Sequence, residues 1–138
     1  MTARADRVDT LADGRAVVID YKTGQAPSKA QMAAGYRPQL PLEAAMVAGG
    51  AFAEVGPRAV GLIEVWQLKG GNPPGVIKEI PDAAAVADGA VDGVKRLLGK
   101  YADQAQPYLS SPNPRQAGYG DYDHLARVGE WADGGDKS

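Results

Sequence analysis

Ten residues, Arg15-Ala-Val-Val-Ile-Asp-Tyr-Lys-Thr-Gly24, restrict what this chain can fold into more than any others. Val17, Val18 and Ile19 are β-branched and consecutive, which favours a strand covered on both faces. The apolar run stops at Asp20-Tyr21-Lys22, so charge sits at the lip of a core. Side chains alternate along an extended backbone, which puts Asp20 and Lys22 on one side and Tyr21 on the other. A carboxylate and an ammonium then share one cleft. Gly24 frees the backbone to turn, and Pro27 and Ser28 punctuate the loop, with Ser28 placed to cap a helix. Taken alone, a strand that ends in an ion pair is an ordinary surface feature of little energetic weight.

The preceding segment adds chemistry to it. Arg4-Ala-Asp-Arg-Val-Asp9 alternates as an edge or half-buried strand, and Asp13-Gly14 is a strong hairpin signal between it and the next strand. The hairpin brings a second carboxylate, Asp6 or Asp9, alongside Asp20. Two carboxylates at one end of a hairpin repel each other unless a cation sits between them. Hard oxygen ligands of this kind select magnesium, manganese or calcium.

At 138 residues the chain reads as one domain with a real core. The formal charge of -2 gives no global basic footprint, so binding of a polyanion requires a local arrangement in which metal ions offset acidic groups. There is no cysteine, which excludes disulfides, zinc-thiolate sites and iron-sulfur clusters. No long apolar run or signal-peptide pattern is present, so a soluble, cytoplasmic protein is expected. The first strand follows Met1 almost at once, and the chain is expected to be a piece of something longer.

Further along, Pro27, Ser28 and Gly35 predict a loop over residues 25–37 with at most a short helical turn from Lys29 to Ala34. A helix is predicted over residues 38–48. Pro41 is tolerated only in a first turn, which sets its start near Gln39, and Gly49-Gly50 ends it. Leu42, Ala45 and Met46, with Leu40 and Val47 nearby, form the apolar face expected against the sheet. Gln39 and Glu43 lie four apart and read by themselves as an exposed polar edge, the other reading being that both look toward the carboxylate cleft.

A third strand is predicted over residues 58–68, with Val60, Leu62, Val65 and Trp66 supplying core or edge surface, and a fourth from Val76 to Ile80. Asp82 is an N-cap candidate for the longest helix, Ala84 to about Gln104, with Val86, Ala90, Val94, Leu97, Leu98 and Tyr101 on one stripe. Pro107, Pro112 and Pro114 predict an extended segment over residues 107–138, ending in a short helix anchored by Leu125, Val128 and Trp131. His124, in that segment, reads as structural or exposed. The fold class expected is α/β, a mixed sheet led by the hairpin of residues 3–22.

Three blocks, Ala5-Asp6-Arg-Val-Asp9, Val18-Ile-Asp20-Tyr21-Lys22-Thr23-Gly24 and Gln39-Leu-Pro-Leu-Glu43, resemble in order and spacing the RecB-type branch of the PD-(D/E)XK nuclease superfamily. The stretch from Tyr119 to Trp131 more narrowly resembles the C-terminal end of AddB-type subunits, found in helicase-nucleases of recombinational double-strand break repair. The resemblance implies a restriction-endonuclease-like core, a mixed sheet flanked by helices, over the single domain 1–138. It implies metal-binding carboxylates at Asp6 and Asp20, a metal-contacting main-chain carbonyl at Tyr21 and a catalytic lysine at Lys22. Gln39 matches the glutamine of the family's helix motif, which helps set the geometry of the site. The cofactor implied is Mg2+ or Mn2+; the partners are DNA, single-stranded at the site, and a helicase-nuclease subunit of AddA type, with no membrane. Three departures stand out. Glu43 replaces a tyrosine usual in the family, the cluster-binding cysteines of some relatives are absent, and the family's upstream helices are missing from this sequence.

The chemistry agrees with this independently. Phosphodiester hydrolysis needs an activated water and charge relief on the phosphate, and divalent metals held by carboxylates supply both. Lys22 beside them is suited to orient water or stabilise the transition state. Two alternatives are a domain of the same fold that only guides a DNA strand, and a stand-alone RecB-like exonuclease. Joint retention of Asp6, Asp20 and Lys22 argues against the first, and absence of cluster cysteines against the second.

Overall fold

The structure, a computed structural model, describes residues 2–108. The predicted terminal helix, His124 and the block from Tyr119 to Trp131 lie outside the described residues. Two compact units divide the chain, Met1–Leu98 and Gly99–Ser138. The first holds a four-stranded sheet in the order β1-β2-β3-β4. β1 (Arg7–Thr10) and β2 (Ala16–Lys22) form the expected antiparallel hairpin. β2 runs parallel to β3 (Val60–Leu68), which pairs antiparallel with β4 (Gly75–Ile80). A parallel step needs a crossover, and α1 (Lys29–Ala33) and α2 (Gln39–Ala48) make it. α3 (Ala83–Ala102) follows β4, so the fold is a mixed α/β sheet flanked by helices, as expected.

The hairpin closes at Asp13-Gly14. Gly14 adopts φ +83°, and the Asp13 carboxylate accepts a hydrogen bond from the Arg15 amide at 3.0 Å. β2 is buried on both faces, with Ala16 and Val18 on one and Val17 and Ile19 on the other. Removing a Val or Ile side chain from water stabilises by about 1.5–3 kcal/mol, so this short strand anchors the sheet.

In β3 the inward residues are Val60, Ile63 and Val65, an odd step followed by an even one. The register explains it. Ala16 faces Val60 and Val17 faces Leu62, so Gly61 is an extra residue on β3. A Cβ there would lie 2.9 Å from the Arg15 guanidinium carbon, which no side chain tolerates without movement. The slip moves Leu62, a core candidate by spacing, to a half-buried place on the other face.

Ser28 and Gln31 make a reciprocal capping box at the start of α1. α2 begins after Pro38 and ends at Gly49, as the prolines and glycines require. Its buried face differs from the one expected. Leu40, Glu43, Ala44 and Val47 face inward, while Leu42, Ala45 and Met46 are only half-buried. Both stripes satisfy helical spacing; the sheet takes the one that contains a glutamate.

The expected packing of α3 also needs correction. Ala83 and Ala87 enter the core and Val86 packs on it, but Leu97 and Leu98 are 55% and 67% exposed. Only the first turns of the helix therefore reach the core, and its apolar stripe is exposed further along. In the second unit, the rings of Tyr101 and Tyr108 stack at 4.7 Å. Among the described residues no helix is long and apolar enough to cross a membrane.

Candidate active site

β2 delivers Asp20 and Lys22 to the same side of the sheet at its open end. Lys22 Nζ lies 2.9 Å from both carboxylate oxygens of Asp20 and hydrogen-bonds to Oδ1. The Asp20 side chain is 2% exposed and that of Lys22 36%, so the acid is fixed and the ammonium reaches the cleft. Tyr21 points the other way, edge-on to Trp66 at 5.7 Å, as alternation requires.

Of the two upstream carboxylates, Asp6 is the one beside this end. β1 begins at Arg7, which pairs with Ile19, and Asp6 immediately precedes it at the same end of the hairpin. Its Oδ2 accepts a hydrogen bond from the Tyr21 amide at 3.2 Å. Asp9 sits opposite Val17 and is engaged by Arg7 at 2.7 Å, away from the cleft.

α2 supplies the remaining wall. Gln39 Nε2 donates to Asp20 Oδ1 at 3.4 Å and to Glu43 Oε1 at 3.2 Å, so one amide group bridges two carboxylates. Glu43 is 3% exposed, which overturns its reading as part of a solvated edge. Burial pushes its carboxyl above the ordinary value; the Gln39 hydrogen bond opposes this, and the charges of Asp20 and Asp6 add to it. The sequence held a signal for it. Leu40, Glu43, Ala44 and Val47 repeat at i, i+3, i+4 and i+7, and a charged residue within such a stripe marks a polar group carried into a core.

A cation would find incomplete partners here. Glu43 Oε2 is buried without a hydrogen-bond partner, an expensive condition for a carboxylate oxygen, and Asp20 Oδ2 is buried with no hydrogen bond and only the Lys22 ammonium beside it. Those oxygens fit a hard divalent ion. Among the described residues, however, no three His, Cys, Asp or Glu side chains already form a metal cage. A metal here therefore depends on main-chain or water oxygens beside the carboxylates, and the carbonyl of Tyr21 is a donor within the same strand end.

The mixed sheet with an acid and a lysine two residues apart at the end of its second strand defines a class of phosphodiester-cleaving folds. The family model of the PD-(D/E)XK nuclease superfamily matches residues 1–121, and the chain belongs to that superfamily. Comparison with curated proteins and with solved structures gave no match.

Proposed function

We propose that this chain is a metal-dependent deoxyribonuclease of the RecB type, acting on DNA single strands, with residues 1–138 as one nuclease domain. The observation that carries the proposal is the buried Asp20, ion-paired with Lys22 at 2.9 Å and otherwise without a hydrogen bond to Oδ2, beside the unsatisfied Oε2 of the buried Glu43. Asp6, Asp20 and the Tyr21 carbonyl would hold Mg2+ or Mn2+. When bound, such an ion supplies charge relief on the phosphate and an acidified water.

The chain's own residues do the rest. Lys22, anchored by Asp20 but open to the cleft, places a positive charge where negative charge grows on the phosphate. Gln39 holds the Asp20 carboxylate in orientation from α2. Glu43 in turn accepts from the same amide nitrogen, so Gln39 presents its N–H groups to Asp20.

The block from Tyr119 to Trp131 supports the narrower reading of an AddB-type subunit in recombinational repair, cytoplasmic and joined to an AddA-type helicase partner. Calorimetric titration of Mn2+ into the protein, repeated with Asp20→Ala, tests the core of the proposal. A heat of binding lost in the variant is expected, and equal heats overturn it. Nicking of single-stranded DNA by the wild type under the same metal tests the reaction itself. Copurification with an AddA-type helicase tests the narrower reading.

A further inference from the structure

A polyanionic substrate must meet positive charge near this acidic cleft, and most of the nearby cations are already committed. Lys22 is held by Asp20 and Arg7 by Asp9. Arg37 is exposed and has no ion-pair or hydrogen-bond partner among the described residues. It lines a cavity of about 320 Å³ whose wall also includes Lys22, Gln25, Tyr36 and Gln39. That volume is at the small end of the range for small-molecule sites, roughly 300–1,000 Å³.

The segment that carries these groups is built in place. Gly35 takes φ +78° to leave α1, its amide donates to the Met32 carbonyl at 3.0 Å, and the Tyr36 amide donates to the Gln31 carbonyl at 2.9 Å. Pro38 then fixes the entry into α2, one residue before the Gln39 that touches Asp20. A guanidinium and an aromatic ring are thus presented side by side at the mouth of the candidate active site.

We infer that this cavity is a nucleotide subsite: it binds the nucleotide next to the scissile phosphate, with Arg37 on a phosphate and the Tyr36 ring against a base. The inference rests on the nuclease reading above and adds the residues that place the strand. A guanidinium grips phosphate oxygens in a two-point fork. An aromatic ring accepts any base by stacking, so the Tyr36 contact needs no particular base.

The test uses the full chain and a labelled single-stranded oligodeoxynucleotide. Binding is read by anisotropy without divalent metal across a salt series, and cleavage by steady-state kinetics in Mn2+. Arg37→Ala is expected to raise Kd and KM about tenfold, hold kcat within about twofold, and reduce the salt slope by about one. Arg37→Lys should restore the slope but only part of the affinity. Tyr36→Ala should weaken binding about fivefold and Tyr36→Phe should not. Unchanged Kd, KM and slope in Arg37→Ala, in a chain that cuts DNA, overturn the subsite alone. A wild type that binds but does not cut overturns the nuclease reading, and the Kd comparison then decides the subsite. A wild type that does neither overturns both.

Discussion

The two ends of β2 each carry an acid-base pair of nearly the same length, and they are different objects. At the hairpin turn Arg15 Nε meets Asp13 Oδ2 at 2.7 Å, with the two side chains 52% and 50% exposed. At the open end Lys22 Nζ meets Asp20 Oδ2 at 2.9 Å, with the carboxylate 2% exposed. Water screens the first pair and replaces either partner at little cost. It cannot do so for the second, where losing the lysine leaves a charge stranded in the interior. Distance alone does not distinguish a surface decoration from a candidate active site. Surroundings do: α2 supplies the wall over the buried Asp20, whereas Asp13 stands half exposed to solvent.

The largest effect expected is at the buried acid. Asp20→Asn, which keeps the size of the side chain and removes its charge, should lower DNA cleavage by about 10³-fold or more in a Mn2+ assay. Activity within tenfold of wild type would make the two ends of the strand equivalent and end the contrast. Next comes Lys22→Met, expected to slow kcat by about 10²-fold and, without metal, to cost about 1–2 kcal/mol of stability in urea unfolding, given the partial exposure of the lysine. An unchanged unfolding midpoint would show that Asp20 needs no counter-charge.

A third experiment sharpens the role of burial. The raised pKa of Glu43 means that the folded protein holds this proton to higher pH than the unfolded chain does. Its contribution to stability is therefore complete below the ordinary glutamate pKa and is lost as pH rises through the folded value. Glu43→Gln cannot ionise and still offers an oxygen to Gln39. In metal-free buffer the variant should match wild type near pH 4 and exceed it by about 1–2 kcal/mol at pH 8. A gap independent of pH would remove the titration from the explanation. The smallest effect belongs to the exposed pair. Asp13→Ala should leave cleavage unchanged and shift the thermal midpoint by only about 2 °C.

Local chemistry made much of this legible in the sequence. The β2 run, the Asp13-Gly14 turn and the limits of α2 each depend on a few neighbouring residues. The lip of β2 was legible for the same reason, since alternation alone sets Asp20 with Lys22 and apart from Tyr21. The inward face of α2 was not. Two adjacent stripes of that helix meet the same spacing rule, and only the sheet chooses between them. For Glu43 spacing left two readings, an exposed edge and a residue turned toward the cleft, and the second is the one found, because desolvation by a neighbouring sheet is a tertiary effect that helical spacing does not report. The exposed end of α3 failed for a further reason: helical periodicity says which face is apolar, but not how far the opposing surface extends.

The parallel pairing of β2 with β3 has a kinetic consequence. Before those strands can join, the chain from Thr23 to Ala59 must close as a loop, an entropic cost that the local hairpin of β1 and β2 does not carry. Parallel, non-local contacts of this kind are gained slowly and late. The hairpin already bears Asp6, Asp20 and Lys22, but an isolated two-stranded ribbon is marginal in water and leaves its charges hydrated. The cleft is therefore a property of the completed crossover, and a chain still being synthesised does not possess it until β3 has docked.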